Sequence, residues 1–159
     1  MPDIRSSYAL LEKIIVLKRS TLFGGVATSE LRSVAAVSDE LSYRHGERIV
    51  SENEIGDALY LIVNGSVRIV KSSDERQIEL AVLGEGESFG EMSAIDEEVR
   101  SATVIANRDC DVLRISKDDL HEVLRESPQI AIELLRIFVK RLRSADCKIE
   151  ELARGAGGG

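Results

Sequence analysis

From Leu41 to Ser116 the chain is a succession of short β-prone runs cut by turn signals at near-regular intervals, and this texture limits its fold more than any other feature. The runs ALYLIV (58–63), SVRIV (66–70), QIELAVL (77–83), SATVIA (101–106) and CDVLRI (110–115) are too short for stable helices and rich in branched aliphatic residues. Between and around them lie His45-Gly46-Glu47, Ile55-Gly56-Asp57, Asn64-Gly65, Ser72-Ser73-Asp74, Gly84-Glu85-Gly86 and Asn107-Arg108-Asp109. Asn64-Gly65 is the strongest of these signals, because a type I′ hairpin needs positive φ at both central residues and this pair tolerates it. Roughly eight short strands in one block predict a mainly β fold, a jelly roll or a similar closed sandwich.

Helical patterns flank the block. Ser6 to Lys18 and Thr28 to Val37 suit two short amphipathic helices, the second with Thr28 or Ser29 as N-cap, and Leu22-Phe23-Gly24-Gly25 makes a reversal with an aromatic anchor between them. Ser116 reads as the N-cap of a helix over Lys117 to Glu126, and Pro128 opens a longer one reaching about Leu152. On that helix Ala131, Leu135, Phe138, Leu142, Ala145, Ile149 and Leu152 form a heptad seam. Ile130, Ile132, Leu134, Ile137 and Val139 widen the stripe in its first half, which is expected to pack on the roll. The second half either pairs with another helix, giving a homodimer through residues 131–152, or folds back onto its own domain. The expected organisation is a helical lead-in (1–19), one domain (20–153) and a flexible glycine tail (154–159).

Composition removes several functions. With 159 residues there is room for one domain, and 21 Lys plus Arg against 28 Asp plus Glu gives a net charge of -7, the wrong sign for gripping phosphate backbones. Direct nucleic-acid binding is therefore not expected. No apolar run approaches the ~20 residues of a membrane span, and the N-terminus lacks a signal-peptide core, so a cytoplasmic location is expected. Cys110 and Cys147 stand far apart without a CxxC partner and read as two buried thiols. His45 and His121 belong to no ligand cluster, and no nucleophile motif, phosphate-loop motif or carboxylate pair is legible. Neither an enzyme nor a bound metal or cofactor is expected.

The chemistry concentrates at Gly84–Val104. A glycine turn precedes a turn or two of helix, and the first amides of that helix, at Gly90, Glu91 and Met92, would form an anion pocket. Arg100, a fork of donors that does not deprotonate, is placed to close the pocket around a phosphate. Glu91 would repel a bare phosphate, so its presence suits a ligand that carries hydroxyls beside its phosphate, such as a ribose. The plainer alternatives are a surface Arg100 paired with Glu97 or Glu98, and a Glu91 that only favours the helix dipole. Asp96-Glu97-Glu98 is read as a solvated acidic run.

Phe89-Gly90-Glu91, with Arg100 nine residues after the Glu and followed by Ser101-Ala102-Thr103-Val104, resembles the phosphate-binding cassette of cyclic nucleotide-binding domains. That family includes bacterial catabolite activators and the regulatory subunits of protein kinase A. Tyr43–Ile49 and Gly56–Arg68 look like its upstream glycine-turn landmarks, so the resemblance covers about residues 20–152. It implies an eight-stranded β-roll with flanking helices and a cyclic AMP or cyclic GMP ligand. Glu91 would accept the ribose 2′-hydroxyl, Arg100 would bind the cyclic phosphate, the Gly90–Met92 backbone would supply donors, and Ser101 a hydroxyl as in bacterial members. The candidate ligand-binding residues are thus Phe89, Gly90, Glu91, Met92, Ser93, Arg100, Ser101 and Ala102. Departures from the kinase pattern are Val99 for proline and Ser93-Ala94 for Ala-Leu, and the polar pair by which bacterial members reach the base falls at Ala145 and Asp146. The reading is a cyclic nucleotide sensor signalling through its last helix to an output domain or partner outside this chain. The alternative is an interaction module that keeps the fold without the ligand and works through the heptad seam.

Overall fold

The computed structural model describes residues 4–96 and 99–157. Among these, eight strands form two four-stranded antiparallel sheets. The first runs in the order β1 (Ser38–Tyr43), β8 (Cys110–Ser116), β3 (Ala58–Asn64), β6 (Ser88–Phe89). The second runs β2 (Arg48–Val50), β7 (Thr103–Ala106), β4 (Val67–Ser73), β5 (Arg76–Leu83). This is the jelly-roll-like β-roll that the family resemblance implies, a closed two-sheet form of the kind the run-and-turn texture predicts, with the β-block opening at Ser38 rather than Leu41.

The first sheet is covered on both faces, which explains why β3 lacks the polar alternation of a surface strand. Ala58 through Ile62 are all buried. Tyr60 and Ile62 point between the sheets with Val67, Phe89, Val104 and Val112, whereas Leu59 and Leu61 point the other way with Leu113 and Ile115. That second layer is closed by α1 (Ile4–Arg19), α2 (Thr28–Ala36), α4 (Lys117–Glu126) and the start of α5 (Pro128–Gly157), through Leu17, Leu31, Leu120 and Ile130. Phe23 is fully buried there, the aromatic anchor expected of the reversal after α1. Among the described residues no helix is long and apolar enough to cross a membrane.

Five local expectations need correction. Asn64-Gly65 does not close a hairpin: β3 and β4 lie in different sheets, and Asn64 ends its strand while Gly65 alone turns left-handed, at φ 87°. Glycine is required there by close approach, since a Cβ would sit 2.7 Å from Cys110 Cβ. The type I′ geometry occurs instead at Asp74 (φ 46°) and Glu75 (φ 66°), which join Ser73 to its partner Arg76. The N-cap of α2 is Ala27, without a side-chain bond, because its carbonyl already accepts from Glu30 and Leu31; Thr28 and Ser29 fall inside the first turn. By contrast Ser116 caps α4 as expected, its hydroxyl accepting from the Asp119 amide at 3.2 Å.

The remaining three corrections concern α5. It continues past Leu152 and through Gly155 to Gly157, since extending a formed helix adds one hydrogen bond for each residue fixed. Ile130 and Leu134 are buried and Ile137 and Phe138 partly so, but Ile132 and Val139, expected in the same packing stripe, face solvent, and from Val139 onward the helix is exposed all round. The first half therefore packs on the roll and the second does not fold back onto it. For the same reason Cys147 is exposed, and only Cys110 is a buried thiol.

Candidate functional site

The site is assembled where β6 ends. Phe89 stacks on Tyr60, with ring centroids 4.9 Å apart and planes 5° from parallel, which fixes the strand to the first sheet. Gly90 then turns left-handed at φ 84° and opens α3 (Glu91–Asp96). A Cβ at Gly90 would stand 2.7 Å from the Ala58 carbonyl oxygen and 2.6 Å from Arg100 Nη1, so glycine is needed both for the turn and for the approach of the arginine. The helix is held from behind: Ser93 and Ala94 are buried, and the Ala94 carbonyl contacts His121 Nε2 at 3.0 Å. Ala94 N–H donates to the Gly90 carbonyl, while among the described residues the amides of Gly90, Glu91 and Met92 donate to no backbone carbonyl.

Arg100 is brought to the same place by a backbone clamp. Its N–H donates to the Glu54 carbonyl at 2.8 Å, its carbonyl accepts from Asn53 N–H at 2.9 Å, and the preceding Val99 forms a bridge with Ile55. A proline at position 99 is thus replaced by a short β-contact. The side chain is 5% exposed; Nη2 donates to the Ala58 carbonyl at 3.1 Å and lies 3.7 Å from Asp57 Oδ1, and the guanidinium carbon sits 5.8 Å from the Tyr60 ring centroid. Burial lowers the guanidinium pKa from its ordinary value, opposed by Tyr60, Asp57 and Glu54. An arginine this enclosed is not the solvated surface residue of the plainer reading, and Glu97 and Glu98, its suggested partners, lie outside the described residues.

Glu91 does more than favour a dipole. Its side chain is 13% exposed; Oε1 accepts from Arg141 Nη1 at 3.0 Å, and Oε2 is buried and among the described residues accepts no hydrogen bond. Arg141 belongs to α5 and also lies against the Phe138 ring, with its guanidinium carbon 5.8 Å from the centroid. Sequence reading missed this residue. It assigned the contribution of the last helix to Ala145 and Asp146, which are exposed, whereas the contact is made a turn earlier. In the heptad pattern Arg141 is an unremarked polar position beside Leu142, and the one available signal was that a carboxylate at an anion site calls for a second cation.

These groups surround one cavity of about 460 Å³, within the usual range for small-ligand sites. Phe89, Gly90, Glu91, Met92 and Ser93 line it on one side and Arg100, Ser101 and Ala102 on another, so all eight sequence-derived candidates meet there. Phe89 and Ser93 are mostly buried and serve packing as well, whereas Met92 and Ser101 are exposed. Val50, Ile69, Leu83 and Val104 supply an apolar wall, with Arg141 on the α5 side. The arrangement can hold an anion on amides and a guanidinium while offering a carboxylate oxygen to a hydroxyl, next to a surface suited to a flat apolar group.

Known proteins resemble this chain in sequence and in fold. Residues 40–127 match the sequence profile of the cyclic nucleotide-binding domain. The Cyclic AMP receptor protein of Thermus thermophilus is 35% identical over 138 residues, 86% of this chain and 64% of that protein. The CRP-like cAMP-activated global transcriptional regulator of Mycobacterium tuberculosis is 28% identical over 138 residues, again 86% of this chain and 62% of the relative. The crystal structure of the N-terminal domain of a transcriptional regulator from Streptomyces coelicolor superposes with a TM-score of 0.74 at 31% identity, covering 84% of this chain and 94% of that one. The chain thus spans less than two thirds of the length of the two curated relatives.

Proposed function

Because the chain belongs to the cyclic nucleotide-binding domain family, we propose that its cavity takes a cyclic nucleotide and that α5 reports occupancy to an output segment or partner outside this chain. The observation that carries the reading is the convergence of three unused or half-used groups on one cavity: the Gly90–Met92 amides, the buried Arg100 fork and the orphaned Glu91 Oε2. The cyclic phosphate lies on the first two and the ribose 2′-hydroxyl donates to the third. Cyclic AMP is the first ligand to test, since the relatives named above are a cyclic AMP receptor and a cAMP-activated regulator. The module acts without catalysis and without touching nucleic acid itself, and works in the cytoplasm.

Arg141 supplies the link to the helix. A ligand hydroxyl that approaches Glu91 meets a carboxylate already tied to α5, so occupancy favours one position of that helix over another, which is the condition for a signal. Thermal denaturation with cyclic AMP and cyclic GMP tests the binding claim. At a ligand concentration of 100 Kd the native state gains about 2.7 kcal/mol, a rise of several degrees in Tm for a domain of this size. A Tm unmoved by either nucleotide contradicts the reading and favours the ligand-free interaction module.

The exposed half of α5 supports a second element of the proposal. Leu142, Ile149 and Leu152 there, and Leu135 on the outward side of the packed half, are all at least 60% exposed and lie along the heptad seam, so this face pairs with the same face of another copy. Static light scattering at tens of micromolar protein is expected to give the mass of a dimer; the mass of a monomer at every concentration contradicts it.

A further inference from the structure

Arg114, a residue of β8 that stands behind the cavity and not in its lining, reaches Asp57, one of the two groups that engage Arg100 Nη2, and stands beside Tyr60, on whose ring the guanidinium lies. On one side Arg114 Nη2 lies 3.4 Å from Asp57 Oδ2, while Asp57 Oδ1 lies 3.7 Å from Arg100 Nη2. On the other, Arg114 stands opposite Tyr60 in the β3–β8 register, and the Tyr60 ring lies against the Arg100 guanidinium. Asp57 itself is 70% exposed; its backbone is fixed by the Lys117 amide donating to its carbonyl at 2.8 Å, and among the described residues Arg114 is the ion-pair partner of its carboxylate besides Arg100. A carboxylate that free holds no neighbour in a fixed orientation unless something holds the carboxylate, and Arg114 does so.

We propose that Arg114 is a positioning residue: through Asp57 it fixes the Nη2 edge of Arg100 so that Nη1 is directed at Gly90 and the cassette. The asymmetry of Arg100 supports this. Nη2 is engaged by Ala58 and Asp57, whereas Nη1 is the atom that a Cβ at Gly90 would strike at 2.6 Å. A guanidinium anchored by one edge meets an anion with the other edge already oriented, which reduces the ordering needed on binding. Lysine at position 114 would supply charge without the planar fork that meets Asp57.

The role rests on the cyclic-nucleotide reading of the cavity, and two measurements separate their fates. In the ligand-free protein, the arginine side-chain NMR signals of Arg100 should show slow rotation of the guanidinium in the unaltered chain and averaging in Arg114→Ala and in Asp57→Asn. Calorimetry with cyclic AMP should show affinity reduced about three- to tenfold in Arg114→Ala, with Arg114→Lys recovering only part. The doubly substituted protein should bind no more weakly than the worse single variant, because both changes break one chain of contacts. A purely structural Arg114 would lower Tm while leaving the Arg100 signals and the affinity unchanged, and that result overturns the proposal. If the unaltered chain binds no cyclic AMP, the functional reading fails while the Arg100 signals still decide the positioning claim.

Discussion

Arg100→Ala is expected to weaken cyclic nucleotide binding by at least about 30-fold, the lower end of the ~2 to 5 kcal/mol lost when one partner of a buried charged pair is removed. The magnitude follows from burial. At 5% exposure the guanidinium is shielded from the water that would screen it, so its attraction for a phosphate is stronger than that of a surface arginine. Removing it also orphans the Ala58 carbonyl, which costs about 1–3 kcal/mol of stability, so unfolding must be measured beside affinity. Arg100→Lys separates charge from shape: a single ammonium cannot remain on the Ala58 carbonyl and also meet a phosphate in two places, so most of the affinity is still lost. Titration calorimetry with cyclic AMP reads both variants, and a dissociation constant within about threefold of the unaltered protein's removes Arg100 from the site.

Gly90→Ala should damage fold and site together. At φ 84° an L-residue incurs a penalty of about 1–2 kcal/mol, and the added carbon meets a backbone oxygen 2.7 Å away that belongs to the buried strand β3 and cannot retreat. Overpacking of this kind costs about 1–3 kcal/mol more. Arg100 Nη1, at 2.6 Å from the same carbon, is displaced from the cassette, so affinity falls at least about tenfold as well. Gly84→Ala is the matched control, because a Cβ there meets nothing within 4 Å and its φ lies outside the left-handed region. Chemical denaturation and calorimetry on the two variants should separate sharply; if Gly90→Ala behaves like Gly84→Ala, the close packing of cassette, strand and arginine is wrong.

What could be read in advance, and what could not, divides by the range of the interaction. Ser116 and Pro128 announce the starts of α4 and α5 because capping hydroxyls and a proline at the first helical position act on adjacent backbone. The cassette was legible for a related reason, since Gly90, Glu91 and Arg100 sit within one short stretch of chain. Asn64-Gly65 misled because a turn dipeptide says where the chain can reverse and not which strand it will pair with; pairing was decided by the two-sided burial of β3 in the first sheet. Arg141 and Arg114 were invisible on similar grounds. One matters through the path of α5 past α3, and the other through the β3–β8 register, and neither exists until the chain is packed. Cys147 was misread because an amphipathic stripe does not say where along a helix its own domain ends.

A crystal structure of this chain grown with cyclic AMP tests the central claim most directly. The account predicts the cyclic phosphate on the Gly90–Met92 amides and Arg100 Nη1, the ribose 2′-hydroxyl at Glu91 Oε2, and Arg141 still within reach of the Glu91 carboxylate. Density for the nucleotide elsewhere on the molecule, or a phosphate that touches neither Arg100 nor those amides, would contradict it.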